Sequence, residues 1–289
     1  MKLENFAVIG HPIGHTMSPF IHERLFKMSG FAPKYSVFDV PELAKGLDEL
    51  KKLDGFNITI PHKSGILPYL DEIDRKAELF GSVNTVRVED GKMCGYTTDG
   101  AGCRMALGRY GFDLKGELLL LGRGGAARAV AFEAVMTADA PRLDIACRKS
   151  SAELAKELCA ELSRLCTELK KDGKFRVLSY DALDKEDKRY TLILNTTSVG
   201  MYPNAGVSVV GSSVLERGRA VFDAVYNPGE TELLRLARES GATAIGGMGM
   251  LVCQAVKAHE IWYGASFKED DIEQLIRDAE AETERIFRR

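Results

Sequence analysis

Residues 118–130 read LLLLGRGGAARAV: a run of four leucines, a glycine-rich turn and an alanine-rich segment. The leucines predict a strand buried on both faces, and the segment from Ala126 to about Thr137 predicts a helix. Gly122 permits a tight turn and Gly124 lets the backbone approach a pyrophosphate, while the helix N-terminus offers free N–H groups to the phosphates. The stretch therefore predicts a dinucleotide-binding, Rossmann-like fold. The alternative is that these glycines serve only to pack the strand against the helix.

The residues after the next predicted strand, Leu143–Cys147, bear on which dinucleotide is bound. An acidic residue at this position suits the ribose 2′-hydroxyl of NAD, whereas basic residues suit the 2′-phosphate of NADP. The strand is followed by Arg148 and Lys149, with no carboxylate at its tip. This favours NADP. The alternative is that Arg148 and Lys149 are ordinary solvated loop residues, in which case NAD is an equally good candidate. Arg123, inside the glycine loop, either reaches the phosphates or points into solvent.

Short apolar runs alternate with helical patterns on both sides of the glycine loop, which predicts an α/β protein with a largely parallel sheet. The predicted strands are Phe6–Ile9, Tyr35–Phe38, Phe56–Ile60, Asn84–Val88, Leu118–Leu121, Leu143–Cys147, Leu192–Leu194 and Val221–Ala224. Helices are expected from an N-cap at Ser18 to about Met28, along a core stripe of Ala155, Leu158, Leu162, Leu165 and Leu169, and along a C-terminal stripe of Ile272, Leu275, Ile276, Ala279 and Ile286. A domain boundary is expected near residue 101, with the chain crossing back near Gly246.

Composition excludes several classes of protein. The 289 residues predict about two domains at roughly 150 residues each. With 39 basic and 42 acidic residues the chain lacks the basic excess of a nucleic-acid-binding protein. No apolar stretch reaches the ~18 residues of a membrane span, and no signal peptide is evident. Six cysteines without a C-x-x-C pair predict reduced, buried thiols in a cytoplasmic protein that needs no metal.

Four short polar segments lie after predicted strands or in loops: residues 15–18 (HTMS), 57–63 (NITIPHK), 83–85 (VNT) and 98–100 (TDG). Their hydroxyls, amide, ammonium and carboxylate together suit a polyhydroxylated, anionic small molecule. Taken singly, each has a plainer interpretation. Ser18 would cap a helix, Thr59 would lie in an edge strand and Asp99 would lie in a turn.

Lys63 is the most informative of these residues. It follows Pro61, where a helix is expected to begin, and the positive end of a helix dipole disfavours a cation. Desolvation favours the neutral form of a lysine, which is the form that can accept a proton in catalysis. A nearby Asp99 would hold the ammonium in place. The alternative for Lys63 alone is a solvated surface lysine.

These segments, in this order, resemble the shikimate dehydrogenase family, and the likeness extends over essentially the whole chain. The matching segments are residues 10–19 (GHPIGHTMSP), 57–63, 83–85, 98–100, the glycine loop, 195–201 (NTTSVGM), 225–228 (VYNP) and 249–255 (GMLVCQA). The resemblance implies NADP-dependent, reversible reduction of 3-dehydroshikimate to shikimate in the biosynthesis of chorismate and the aromatic amino acids. It makes Lys63 the leading catalytic candidate.

The resemblance also implies a division of labour along the chain. A substrate-binding domain would comprise residues 1–101, completed by 246–289, and a Rossmann-like NADP-binding domain would comprise 102–245. Lys63 would transfer the proton and Asp99 would orient it. The implied substrate-binding residues are Thr16, Ser18, Thr59, Lys63, Asn84, Asp99 and Gln254. The implied cofactor-binding residues are Gly122, Arg123, Gly124, Gly125, Ala126, Arg148, Lys149, Thr196, Met201, Val225 and Gly247.

The sequence departs from the family pattern at several positions. Thr16 and Thr97 replace a serine and an asparagine, and Arg123 replaces a small residue in the glycine loop. Cys147 replaces an asparagine before Arg148, and Ala152 lies near the place of a second arginine that often binds the 2′-phosphate. Lys149 is expected to compensate for that arginine.

Two rival functions remain at this stage. One is a quinate/shikimate dehydrogenase that accepts NAD, and the other is a non-catalytic ligand sensor on the same fold. Retention of both Lys63 and Asp99 argues against the sensor. The expected partner is the small-molecule substrate alone, without nucleic acid or membrane, and the expected assembly is a monomer or a homodimer.

Overall fold

The computed structural model describes residues 4–14 and 16–287. His15, which belongs to the first polar segment, lies outside the described residues. The chain forms two compact units. The first comprises the described residues up to Gly102 together with Val252–Ala281, and the second comprises Cys103–Leu251 and the described residues from Glu282 onward.

Each unit contains a six-stranded sheet. The strands are β1 Asn5–Gly10, β2 Lys34–Asp39, β3 Gly55–Ile58, β4 Glu72–Ile73, β5 Thr85–Glu89, β6 Lys92–Tyr96, β7 Glu117–Leu121, β8 Arg142–Cys147, β9 Lys174–Ser179, β10 Tyr190–Asn195, β11 Gly218–Asp223 and β12 Thr243–Ile245. The helices are α1 Ser18–Met28, α2 Leu43–Leu50, α3 Arg75–Phe80, α4 Asp99–Gly108, α5 Gly125–Thr137, α6 Ala152–Glu168, α7 Tyr180–Leu183, α8 Ser212–Leu215, α9 Glu232–Glu239, α10 Met248–Tyr263 and α11 Glu269–Phe287.

The sheet of the second unit is parallel throughout, with strand order β12-β11-β10-β7-β8-β9. The chain moves outward from β7 to β8 and β9 and then returns to β10 on the other side of β7. This is the strand order of the Rossmann fold, in which ligands bind beyond the carboxyl ends of the strands where the order reverses. The glycine loop follows β7 and lies at that reversal, so the predicted α/β, Rossmann-like class is confirmed.

The sheet of the first unit is mixed, with order β2-β1-β3-β5-β6-β4. Strand β1 is parallel to β2 and β3, whereas β5 is antiparallel to both β3 and β6. Strand β4 is parallel to β6, so three of the five pairings are parallel and the prediction of a largely parallel sheet fails only at β5. The reason is local: Asp90 and Gly91 both have positive φ angles, 52° and 74°, and form a tight turn that can join only antiparallel strands.

Trp262 anchors α10 to the first sheet. Its Nε1 donates a hydrogen bond to the Val86 carbonyl at 2.9 Å, and its ring centroid lies 4.6 Å from that of Phe6. A Cβ atom at Gly55 would approach Trp262 Nε1 to 2.5 Å, so this contact requires glycine. The packing carries Gln254, two turns earlier on α10, into the first unit.

Several local predictions need correction. Ser18 is the first residue of α1 rather than its cap; Met17 is the N-cap, and the Ser18 N–H donates instead to Thr16 Oγ1 at 3.2 Å. No helix begins at Pro61. Turns occupy residues 60–66 and a 3-10 helix follows at Leu67–Tyr69, where Pro68 lacks the N–H group that an α-helix would need.

Two stripe residues are exposed rather than buried. Leu169 is 38% exposed because α6 ends at Glu168, and Leu165 and Cys166 are the buried residues of its last turn. Ile286 is 40% exposed in the last turn of α11. None of the six cysteines forms a disulfide within the described residues, but Cys94 and Cys159 are only partly buried. Over residues 4–14 and 16–287, no helix has the length and apolar character needed to cross a membrane.

Candidate active site

Three of the polar segments lie together at one end of the strands of the first sheet. Because β5 runs antiparallel to β3, the residue before β5 lies beside the residues after β3. Strand β6 runs antiparallel to β5, so its carboxyl end reaches the same edge. Lys63 follows β3, Asn84 precedes β5 and Asp99 follows β6. The topology therefore brings together the ammonium of Lys63, the amide of Asn84 and the carboxylate of Asp99, which are distant in sequence.

Lys63 and Asp99 form a close ion pair. Lys63 Nζ lies 2.6 Å from Asp99 Oδ2, with the lysine side chain 26% exposed and the aspartate 9% exposed. The Lys63 carbonyl accepts a hydrogen bond from the Val83 N–H at 2.8 Å, which ties the turn to the segment before β5. The ammonium is therefore held in place and still reachable from solvent.

Asn84 is the centre of this cluster. Its Nδ2 lies 2.7 Å from Asp99 Oδ1, 2.9 Å from Thr98 Oγ1 and 3.3 Å from Gln254 Oε1, while its Oδ1 accepts from the Thr98 N–H at 2.8 Å. Two amide hydrogens face three acceptors, so one contact is weak at any moment. Asn84 thus fixes the second oxygen of Asp99 and brings Gln254, 170 residues later in the chain, into the cluster.

Thr16 and Ser18 form a second cluster, with Thr16 Oγ1 donating to Ser18 Oγ at 3.1 Å. Tyr35 is buried in β2. Burial raises the pKa of Tyr35, and a side-chain hydrogen bond with Ser18 opposes this shift. The Tyr35 hydroxyl donates to Asn57 Oδ1 at 2.7 Å, and Asn57 Nδ2 donates to the Asn84 carbonyl at 3.3 Å. Tyr35 and Asn57 therefore belong to the hydrogen-bonded cluster around Asn84.

Thr59 directly follows β3 and is half-buried. Its N–H donates to the Ile9 carbonyl at 2.9 Å, and its methyl group would lie 2.6 Å from a Cβ atom at Gly10. Within residues 4–14 and 16–287 its hydroxyl has no hydrogen-bond partner, which leaves it able to bind a ligand.

Sequence reasoning did not select Tyr35, Asn57 or Thr98 as site residues. Asn57 and Thr98 belong to the polar segments, so inclusion of every polar residue in those segments would have found them. Tyr35 lies in a strand that reads as ordinary core, and nothing in its pattern shows that its hydroxyl meets Asn57. Among the described residues the buried Thr97 Oγ1 has no hydrogen-bond partner, so the hydroxyl that replaces the usual asparagine makes no compensating contact there.

In the second unit the glycine loop has the features of a phosphate cradle. Gly122 has a φ of +103°, and a Cβ atom there would lie 2.7 Å from Thr197 Cγ2. Open space surrounds the Cβ positions of Gly124 and Gly125. Helix α5 begins at Gly125 without a side-chain cap, so its first N–H groups are available to an anion, with Ala126 in the same turn. Arg123 is exposed. These features fit the pyrophosphate of a dinucleotide.

Four other predicted cofactor residues follow the carboxyl ends of strands in this sheet. The N–H and Oγ1 of Thr196 both donate to the Leu121 carbonyl, at 3.0 and 2.8 Å. A Cβ atom at Gly247 would lie 2.8 Å from the Val225 carbonyl oxygen, so these backbones are in contact. Met201 is 44% exposed in the loop after β10.

Asp223 holds these loops together. It is fully buried and accepts hydrogen bonds from Asn195 Nδ2 at 2.8 Å, the Val225 N–H at 3.0 Å and Thr231 Oγ1 at 2.6 Å. Burial raises its pKa, and these bonds oppose the shift. The loops that carry Met201 and Val225 are thereby fixed from beneath.

At the tip of β8, Arg148 is exposed and forms no ion pair within the described part of the chain. Lys149 is also exposed, and its Nζ lies 2.6 Å from Asp181 Oδ2. Sequence reasoning did not foresee this acidic partner, which comes from the start of α7. Across residues 4–14 and 16–287, no three His, Cys, Asp or Glu side chains converge as metal ligands.

Comparison with known proteins gives a consistent result. A family model described as "Shikimate dehydrogenase substrate binding domain" matches residues 8–86. The shikimate dehydrogenase (NADP(+)) of Methanocaldococcus jannaschii is 43% identical over 269 residues, which cover 91% of this chain and 92% of that protein.

Solved structures agree. A shikimate dehydrogenase in complex with NADP+ has a TM-score of 0.82 and 39% identity, with 96% of each chain covered. The enzyme of Thermus thermophilus, in complex with NADP(H) and shikimate, has a TM-score of 0.82 and 30% identity, over 96% of this chain and 100% of that one. The chain belongs to the shikimate dehydrogenase family.

Proposed function

We propose that this protein is an NADP-dependent shikimate dehydrogenase that interconverts 3-dehydroshikimate and shikimate on the route to chorismate and the aromatic amino acids. One observation carries the proposal: the Lys63 ammonium, 2.6 Å from the Asp99 carboxylate, stands in a cluster of hydrogen-bonding side chains and remains open to solvent. That arrangement suits proton transfer to a hydroxylated ligand.

The first unit binds the substrate. The neighbouring hydroxyls of Thr16 and Ser18 donate to its carboxylate. Thr59, Asn84 and Gln254 hydrogen-bond its ring hydroxyls, which suits them because amides and hydroxyls both donate and accept. Substrate binding is proposed for residues 1–101 completed by 246–289 and cofactor binding for 102–245, with Gly247 adding one cofactor contact from just beyond that boundary.

Lys63 moves the proton at the reacting oxygen. During reduction its ammonium donates a proton to the carbonyl oxygen as that oxygen becomes a hydroxyl, and during oxidation neutral Lys63 takes the proton back. Asp99 orients Lys63 through Oδ2 and is itself oriented by Asn84 through Oδ1. The bound nicotinamide supplies or accepts the hydride.

The second unit binds NADP. The N–H groups of the loop from Gly122 to Ala126 hold the pyrophosphate, with Arg123 at its rim. Arg148 and Lys149 bind the 2′-phosphate, and Thr196, Met201, Val225 and Gly247 bind the nicotinamide half. We further propose a cytoplasmic enzyme, consistent with six free cysteines, that acts as a monomer or a homodimer.

The test is a set of initial rates at 340 nm with purified protein. Shikimate and quinate are each paired with NADP+ and with NAD+. Activity confined to shikimate with NADP+ supports the proposal. Comparable rates with quinate or NAD+ assign the protein to the broader quinate/shikimate branch. Silence with every pair, while shikimate binding persists, contradicts catalysis and supports a ligand sensor.

A further inference from the structure

The carboxyl ends of β8 and β9 adjoin in the second sheet, with Cys147 in register with Ser179. Arg148 and Lys149 follow β8, and α7 begins directly after β9. The residues that start α7 therefore lie beside the basic tip of β8. This brings Asp181, an acidic residue 32 positions after Lys149, to the place where the 2′-phosphate of NADP would bind.

Asp181 and Lys149 contact each other directly, with Nζ 2.6 Å from Oδ2. The hydrogen bond from Lys149 lowers the pKa of Asp181, and the same bond raises the pKa of Lys149. Both groups are therefore charged at neutral pH. The Asp181 carboxylate is thus already paired with the Lys149 ammonium, which was expected to bind the 2′-phosphate in place of the missing second arginine.

We propose that Asp181 is a selectivity-determining residue that weakens the preference for NADP over NAD. The inference rests on the proposed function, since it takes the tip of β8 as the 2′-phosphate site. A phosphate monoester carries a charge of about −1.5 to −2 at neutral pH. To bind it, Lys149 must leave Asp181, and the freed carboxylate then repels the phosphate. The 2′-hydroxyl of NAD is neutral, so its binding neither breaks the Lys149–Asp181 pair nor suffers repulsion from the carboxylate. Arg148 has no ion pair in the described part of the chain and can bind the phosphate without first leaving an acidic partner.

The test compares Asp181→Asn with wild type in calorimetric binding of adenosine 2′,5′-bisphosphate and adenosine 5′-monophosphate. These probes differ only in the 2′-phosphate. The variant is expected to bind the bisphosphate about threefold to fivefold more tightly, the range of an exposed charge pair, and the monophosphate unchanged. The gain should shrink at 1 M salt, where the Debye length is only about 3 Å.

Asp184→Asn is the matched control, because Asp184 is an exposed acid three residues further on and its loss changes the net charge equally. It is expected to leave the ratio of the two affinities unchanged. In a Lys149→Ala background, Asp181→Asn should give a smaller gain, since no ammonium remains to be released.

Steady-state KM values for NADP+ and NAD+ give the second readout, and only that for NADP+ should fall in Asp181→Asn. Unchanged bisphosphate affinity in Asp181→Asn, or an equal change for both probes, would overturn the role of Asp181. Wild-type protein that is inactive with shikimate but shows the expected binding ratio would contradict the proposed function and leave this inference standing.

Discussion

Two Lys–Asp pairs in this protein have the same Nζ–Oδ2 distance of 2.6 Å and very different surroundings. Lys63 and Asp99 are 26% and 9% exposed, and Asn84 holds the second oxygen of the aspartate. Lys149 and Asp181 are 77% and 74% exposed. An exposed pair is screened by water and salt, so its net stabilisation is small and its members exchange partners easily. Distance alone therefore does not distinguish the pair that we propose as catalytic from the surface pair that we propose to tune cofactor affinity.

A third aspartate shows what a purely structural pair looks like. Asp144 in β8 is 5% exposed and accepts from Arg176 Nη2 at 2.7 Å, Tyr190 Oη at 2.8 Å and Lys188 Nζ at 3.1 Å. Burial alone would raise the pKa of Asp144, but these hydrogen bonds outweigh it and lower the pKa. Its acceptor positions are filled by protein groups, whereas the Lys63 ammonium still faces solvent. We infer that Asp144 contributes stability and no chemistry.

The largest expected effect is that of Lys63→Ala. Loss of the group that transfers the proton should lower turnover about 10²-fold or more, while shikimate binding remains measurable by calorimetry. The matched control is Lys52→Ala, which removes an exposed lysine of the same unit, 2.5 Å from Glu49, and should leave turnover unchanged. Near-wild-type turnover in Lys63→Ala would show that the Lys63–Asp99 pair is not catalytic.

The next largest effect is expected on stability. Asp144→Ala leaves Arg176 and Lys188 without their shared buried partner, and should lower the free energy of unfolding by about 2–3 kcal/mol in urea denaturation. Turnover of the folded variant should match wild type. Normal stability with impaired turnover in Asp144→Ala would show that Asp144 has a functional role rather than a structural one.

The sign of a pH effect follows from the same aspartate. Folding lowers the pKa of Asp144 below its usual 3.8, so its contribution is present above that pH and is lost as the pH falls through the folded-state pKa. Urea denaturation of wild type between pH 5 and 3 should therefore lose stability more steeply than Asp144→Ala does. Parallel curves would mean that the carboxylate is not stabilised by its partners.

Arg148→Ala should have a smaller and more selective effect. Loss of a charge-assisted bond to the 2′-phosphate should weaken NADP+ binding about tenfold or more, with little change for NAD+. Calorimetry with both cofactors measures the ratio. Equal weakening of NADP+ and NAD+ binding would show that Arg148 does not contact the 2′-phosphate. The Lys149–Asp181 pair would then have no proposed role in cofactor binding.

Thr97→Val should have the smallest effect. The Thr97 hydroxyl is buried with no hydrogen-bond partner among the described residues, so a methyl group of the same shape should leave stability unchanged or raise it by up to about 1 kcal/mol. Urea denaturation would detect the gain. Clear destabilisation would show that this hydroxyl has a partner and belongs with the polar cluster around Asp99.

Local patterns predicted much of the fold. Four leucines followed by glycines and alanines located β7, the loop and α5 to within a residue, because apolar runs and glycine turns act locally. The mixed order of the first sheet did not follow from its strands, since pairing depends on which edges meet in space. The turns after Pro61 replaced an expected helix for a local reason: one proline suits the first position of a helix, but Pro68 lacks the N–H group that a continuing helix would need.

The site divides in a similar way. Resemblance to a family selected Lys63, Asn84, Asp99 and Gln254, and the structure brings these four together. Tyr35 was missed because a buried tyrosine in a strand has no sequence mark of its hydrogen-bond partner. Asp181 was missed because its contact with Lys149 depends on the pairing of β8 with β9, a non-local event.

The most direct test of the contrast between the two pairs measures kcat and the KM for NADP+ in Asp99→Asn and Asp181→Asn, side by side with wild type and with shikimate saturating. Both changes neutralise an aspartate 2.6 Å from a lysine ammonium. Asp99→Asn is expected to lower kcat about tenfold or more and leave the KM for NADP+ near wild type. Asp181→Asn is expected to act on the KM for NADP+, which should fall. Similar effects of the two variants on kcat and KM, or wild-type turnover in Asp99→Asn, would contradict the account.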